Sequence, residues 1–215
     1  MTTLLNELEA KGLLASYGIK INAGQAVRSP AEAAEAATKL GFPVAMKVLS
    51  DKISHKSDLG LVALNISSSD CARGAYDRII TAARAIDPDA TAVVQVMAMP
   101  GREVIVGAKR DPQFGPIILF GMGGVFVEVF KDVSIRVAPV DRQMAKEMVR
   151  EIKGYKMLTE FRGQKSADID ALADVIVNIS RLIMDRDDIM ELDANPVMAY
   201  EDGAIAVDAR VLLKD

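Results

Sequence analysis

The chain has 215 residues, 50% hydrophobic and 26% charged, with a formal net charge of −4. This length allows one large domain or two small lobes. The acidic balance argues against a general nucleic-acid surface, which needs clustered positive charge. One cysteine excludes an internal disulfide and fits a reducing compartment, and the absence of tryptophan argues against stacked recognition of RNA bases.

The N-terminal "MTTLLNELEAKG" mixes acidic and polar residues and lacks a secretory pattern. The uncharged stretch from Phe114 to Val127 is interrupted by glycines and falls short of the roughly 20 apolar residues of a membrane span. A cytoplasmic protein without membrane contact is the expectation.

In chain order, apolar residues at Leu5, Leu8, Leu13, Leu14 and Tyr17 predict an amphipathic helix stopped by Gly18. A second helix starts with Ser29 as N-cap, Pro30 at the first position and Glu32 completing a capping box, and it ends at Gly41 before Pro43. "VAMKVL" (Val44 to Leu49) reads as a buried strand with one lysine inside. "DKISHKSDLG" is a loop with the single histidine, and "LVALNI" from Leu61 is a second strand. Ser69 and Asp70 are candidate caps for a helix through Ile86, and "TAVVQVM" (Thr91 to Met97) is a third strand. The texture then changes. "REVIVGAKR", "PIILFG", "VFVEVF" and "VSIRVA" are strand-like runs, followed by helices near 142–153 and 166–184 and strands at Ile189–Leu192 and Ala204–Val207. There is no internal repeat. This pattern predicts a mixed α/β (α+β) chain of two lobes, 1–97 and 98–215, with a ligand cleft between them.

Several residues can carry chemistry. Lys47, inside a buried strand, must snorkel, pair with a carboxylate or meet an anion. Gly121, Gly123 and Gly124 expose backbone N–H groups and allow close approach of an anion, although a tight turn explains them equally well. Glu191, Asp193 and Asn195 alternate along one extended face, and Asp208 can join them from a neighbouring strand. These are hard oxygen ligands of the kind that suit magnesium beside a nucleotide phosphate. A polar strand end and a hairpin at Asp202-Gly203 is the bland alternative. Arg136 can meet phosphate oxygens or pair with Glu128. Cys71 reads as core packing.

The succession "PVAMKVLS", "ISHKSDLG", "VVQVMAMPGREVIVGAKRDPQFGPIILFGMGGVFVEVFKDVSIRVAP" and "ELDANPV…AVDAR" resembles the nucleotide-binding beta subunit of ADP-forming (NDP-forming) acyl-CoA synthetases. These are ATP-grasp relatives of succinyl-CoA synthetase, and the resemblance covers nearly the whole chain. It implies a two-lobed ATP-grasp fold, ATP/ADP and Mg2+ as cofactors, and a CoA-binding alpha subunit as partner in an α2β2 assembly. By the same resemblance Lys47 contacts nucleotide phosphates. Gln95, Val96 and Met97 form the linker whose backbone reads the adenine, and Glu103 lies near the nucleotide. Gly123, Gly124 and Arg136 remain candidates for phosphate contact. Asn195 and Asp208 match the magnesium ligands, with Asp193 beside them.

His55 matches a transiently phosphorylated histidine that relays phosphate between the partner and the nucleotide. Imidazole has an unperturbed pKa of about 6.5, so a neutral nucleophilic nitrogen is available near neutrality. Its phosphoramidate divides one difficult transfer into two easier ones. Lys56 and Ser57 can supply positive charge and a donor, and Asp58 can orient the ring. The family's "HKSDxGG" stands here as "HKSDLGL", with Leu61 in place of a second glycine. Two rivals are an ATP-grasp carboxylate ligase without a phosphohistidine and a non-catalytic nucleotide-sensing module.

Overall fold

The structure, a computed structural model, describes residues 2–53, 56, 58–124, 132–159 and 165–214. In chain order the elements are β1 (Thr2–Leu4), α1 (Glu7–Ser16), β2 (Gly24–Val27), α2 (Pro30–Leu40), β3 (Val44–Leu49), β4 (Val62–Ile66), α3 (Ser69–Ala83) and β5 (Thr91–Val96). They continue with β6 (Arg102–Asp111), β7 (Gly115–Met122), β8 (Val133–Val137), α4 (Arg142–Glu151), α5 (Tyr155–Leu158), α6 (Ile169–Asp185), β9 (Ile189–Tyr200), β10 (Gly203–Ala206) and β11 (Ala209–Lys214). The strand expected at "VFVEVF" lies outside the described residues.

Side-chain caps set the helix starts. Asn6 Oδ1 accepts from the N–H groups of Leu8 and Glu9 at 3.0 and 3.1 Å, while the Asn6 N–H donates back to Glu9. Ser29 caps α2 as expected, but the Glu32 carboxylate reaches the N–H of Arg28, one residue before the cap. The cap of α3 is Ser68, not Ser69 or Asp70, because its hydroxyl lies 3.2 Å from the Cys71 N–H. Cys71 is exposed rather than packed in the core, since it falls on the solvent face of that helix.

The chain divides into a unit of residues 22–99 and a unit that joins residues 1–21 to 100–215. The second boundary falls two residues from the expected division at 97. The first 21 residues, expected in the N-terminal lobe, belong instead with the C-terminal part. The cause is strand pairing: Thr2, Thr3 and Leu4 pair with Lys214, Leu213 and Leu212. In addition, Ala10, Leu14 and Ile19 enter the hydrophobic core of that unit.

The 22–99 unit is a four-stranded antiparallel sheet in the order β2-β5-β3-β4. Val44, Met46 and Val48 of β3 and Ala92 and Val94 of β5 share a core with α2 and α3. Ala45, Lys47, Val93 and Gln95 therefore point to the opposite face. The other unit is a seven-stranded sheet, β1-β11-β9-β6-β7-β8 with β10 paired to β9. Its core face carries Val104, Val106, Ala108, Ile118, Phe120, Leu192 and Ala194, packed against residues of α1, α4 and α6. Among the described residues no helix is long and apolar enough to cross a membrane.

Candidate functional site

Lys47 lies on β3 opposite Val62 of β4 and Val93 of β5, and only 7% of its surface is exposed. Strand alternation puts it beside Gln95, which is wholly buried. Gln95 does not stand alone. The Asn22 side-chain amide donates to Gln95 Oε1 at 3.2 Å and to the Val96 carbonyl at 2.9 Å. Gly24 sits directly across from Gln95, and a Cβ there would lie 3.0 Å from Gln95 Cγ. A side chain there would press on Gln95. Met97 follows at the end of β5.

His55 lies outside the described residues, as do Ser57 and Glu128. The flanks of the histidine segment are described, and they are anchored. Ile53 and Leu61 are both buried in the core of the 22–99 unit. The Leu61 N–H donates to the Lys56 carbonyl at 2.9 Å, and its own carbonyl accepts from Val48 at 3.0 Å. Leu61, where the family pattern has glycine, therefore serves as an apolar anchor. Before the histidine, buried Asp87 accepts from Ser50 at 2.7 Å, from Lys52 at 2.9 Å and from the Asp89 N–H at 3.2 Å. The Ser50 hydroxyl and the Lys52 ammonium hold its carboxyl below the usual carboxylate range.

In the seven-stranded unit, Glu103 and the glycine turn come together. The Gly123 N–H donates to the Glu103 carbonyl at 2.7 Å. A Cβ on Gly123 would stand 2.9 Å from Glu103 Cβ and 3.0 Å from its carbonyl carbon, so the approach is of backbone on backbone. Gly124 follows with φ +63°, a left-handed conformation suited to glycine.

Asp193, Asn195 and Asp208 are also assembled. The Asn195 N–H donates to the Asp208 carbonyl at 3.2 Å, and the Ala209 N–H bonds Asp208 Oδ1 at 2.8 Å. Asp193 faces Gly107 on β6 and Arg210 on β11, on the sheet face opposite the helices. Burial pushes its carboxyl up, and the Glu191 charge adds to this, while the Asn195 amide and Arg210 act the other way. A hard divalent cation beside these groups would relieve that repulsion. No three His, Cys, Asp or Glu groups among the described residues form a metal cage by themselves. Magnesium held through one or two carboxylates plus phosphate oxygens needs none.

Arg136 does not join them. It pairs in register with Ile118, whose row lies on the helix-facing side, and its guanidinium bonds Glu151 of α4 and the Ser134 hydroxyl. Asp193 points from the other face. The partner of Arg136 is Glu151, whose carboxyl the guanidinium holds below its usual range, with help from Ser134.

A family model described as the ATP-grasp domain matches residues 1–213. The chain belongs to the ATP-grasp family. It is 49% identical over 212 residues to the beta subunit of the ADP-forming acetate–CoA ligase I of Pyrococcus furiosus, covering 97% of this chain and 91% of the relative. Among solved ATP-grasp structures, it superimposes on an acetyl-coenzyme A synthetase 1 of Ca. Korarchaeum cryptofilum in complex with coenzyme A and Ca-AMPCP. The TM-score is 0.95 and the identity 44%, covering 99% of this chain and 94% of that one. A second structure of that enzyme, with coenzyme A and Mg-AMPPCP, has its phosphohistidine segment pointing towards the nucleotide binding site. It aligns with a TM-score of 0.87 and 44% identity over 99% of this chain and 93% of that one.

Three residues of this ATP-grasp chain escape a reading by motif. Asn22 and Asp87 are single polar residues whose importance appears only once their partners are in place. Lys11 falls inside a helix of mixed pattern, yet it is 1% exposed and its ammonium donates to the Val207 carbonyl at 3.3 Å, next to Asp208. A lysine at helix position i+4 from Glu7, itself 3% exposed, was the available signal.

Proposed function

We propose that this chain is the nucleotide-binding beta subunit of an ADP-forming acyl-CoA synthetase, working with a CoA-binding alpha subunit in an α2β2 assembly. The overall reaction is acyl-CoA + ADP + phosphate giving acid + CoA + ATP. The observation that carries the proposal is the closeness of Asp208, in the loop before β11, to Asp193 and Asn195 of β9, in a chain that aligns over 97% of its length with an acetate–CoA ligase beta subunit.

In this reading His55 is the catalytic residue. Its neutral imidazole nitrogen attacks the phosphorus of a phosphohistidine presented by the partner subunit; the N–P bond to His55 forms as the N–P bond to the donor breaks. A terminal phosphate oxygen of ADP then attacks the same phosphorus, the N–P bond breaks, and the imidazole returns to its neutral state. Lys47 supplies positive charge to the phosphate oxygens from a position where little water competes with it. Gly123 and Gly124 allow backbone N–H groups to approach phosphate, with Glu103 beside them. The linker Gln95–Met97 meets the base. Asp193, Asn195 and Asp208 are the residues that would hold Mg2+, which when bound neutralises charge on the transferring phosphoryl group. Arg136, committed to Glu151, is left out of the site.

The test is transfer from terminally labelled ATP with Mg2+, comparing wild type with His55→Ala. An acid-labile, base-stable label in the wild type that is missing from the variant supports the relay. Turnover retained by His55→Ala would instead favour an ATP-grasp ligase that forms an acyl phosphate directly. Nucleotide binding with no label in either protein would favour a sensor.

A further inference from the structure

We propose that Asn22 is a positioning residue that sets base selectivity, by locking the peptide plane between Val96 and Met97. The inference rests on the reading of Gln95–Met97 as the base-contacting linker.

Asn22 is the first residue of the 22–99 unit and is 8% exposed. Its side-chain nitrogen carries two hydrogens, and each has an acceptor: the buried Gln95 Oε1 at 3.2 Å and the part-buried Val96 carbonyl at 2.9 Å. The Val96 N–H is engaged as well, donating to the Ala23 carbonyl at 2.9 Å. Both peptide planes that flank Val96 are therefore held by residues 22 and 23.

The second of these planes is the informative one. The Val96 carbonyl and the Met97 N–H belong to one planar trans peptide, so they point in opposite directions. When Asn22 binds the carbonyl, the Met97 N–H is turned away from Asn22 and presented as a donor. Without that bond, the plane beyond the last strand residue can rotate and present a carbonyl where the N–H had been. The two orientations read opposite hydrogen-bond patterns. A donor at this place suits the ring-nitrogen acceptor of adenine, and a carbonyl suits the ring N–H of guanine. A site built to hydrogen-bond one pattern rejects the other strongly, because a mismatched buried group is left unpaired. Gly24 belongs to the same device, since a side chain there would crowd Gln95 and displace its amide from Asn22.

The experiment is calorimetric titration of the purified chain with ADP and with GDP, both with Mg2+, for wild type, Asn22→Ala and Asn22→Ser. Thermal melts of all three establish that they are folded. The expected result is a wild type that binds ADP at least about tenfold tighter than GDP, a ratio that falls to within about threefold in Asn22→Ala, and an intermediate ratio in Asn22→Ser, which keeps one donor. A purely structural role would weaken both nucleotides together and leave the ratio unchanged. A ratio unchanged from wild type in the folded variants overturns the proposal. If Asn22→Ala fails to fold, the Asn22→Ser ratio decides in the same way. A wild type that binds both bases equally also overturns it, while leaving the phosphate relay to be judged by the His55→Ala labelling. A wild type that binds neither nucleotide overturns the nucleotide-binding reading itself.

Discussion

Replacing Lys11 with methionine isolates the worth of a charge inside the seven-stranded unit. The buried face of α1 consists of Glu7, Ala10, Lys11 and Leu14, so half of its positions are ionisable. Methionine preserves the length of the lysine stem and most of its packing, and it removes the ammonium and the 3.3 Å hydrogen bond to Val207. Glu7, 3% exposed, stays behind with its charge. Breaking a buried ionic arrangement from one side costs about 3–5 kcal/mol, most of it the desolvation of the group left over. At about 2–4 °C per kcal/mol for a chain of this size, the midpoint should fall by about 6–20 °C. The Glu7→Gln/Lys11→Met double variant removes both charges and should recover most of that loss, because replacing both buried charges of this face with neutral groups of similar size is nearly neutral. Urea and thermal unfolding of wild type, both single variants and the double close the cycle. A single Lys11→Met variant within about 0.5 kcal/mol of wild type, or a double variant as unstable as the sum of the singles, would refute this account of the buried face.

Other measurements address the remaining parts. Gly123→Ala places a Cβ 2.9 Å from Glu103 Cβ, with backbone that cannot swing away. It should cost about 1–3 kcal/mol and weaken nucleotide binding, read from a melt and an ADP titration of the same sample. Asp87 has a folded-state pKa below its ordinary value, so the stability it contributes is present above about pH 4 and is lost as pH falls through the lowered pKa. Asp87→Asn should therefore flatten the acid limb of the stability profile. An unchanged acid limb would show that the Ser50 and Lys52 contacts contribute nothing there.

Much of the 22–99 unit is legible in the sequence because its signals are local. Ser29-Pro30 starts α2, Gly41 ends it, and the short apolar run "VAMKVL" marks a buried strand with Lys47 as its exception. The candidate oxygen ligands of β9 are legible for the same reason, since alternation along an extended chain gathers Glu191, Asp193 and Asn195. What the sequence hides is whatever depends on pairing between distant strands. Arg136 looks like a phosphate ligand until the register with Ile118 turns it to the helix side. The first 21 residues look like part of the first lobe until β1 finds β11. Lys11 belongs to no motif and is buried because that same pairing brings α1 over the core.

The pairing of Thr2 with Lys214 also bears on the birth of the molecule. β1 takes its neighbour from β11, far later in the chain, so the seven-stranded sheet cannot close until β11 has been synthesised. Residues 22–99, by contrast, hold all of their own sheet partners and have adjoining ends, with Val96 bonded to Ala23. They can fold while the rest is still being made. A chain that stops short of β11 would carry a finished four-stranded module and a second sheet lacking that strand, with β1 left without its strand partner and Val211 missing from the core. Such incomplete copies are thus marked by exposed apolar surface and an unpaired strand edge, the features that quality-control proteases and chaperones recognise.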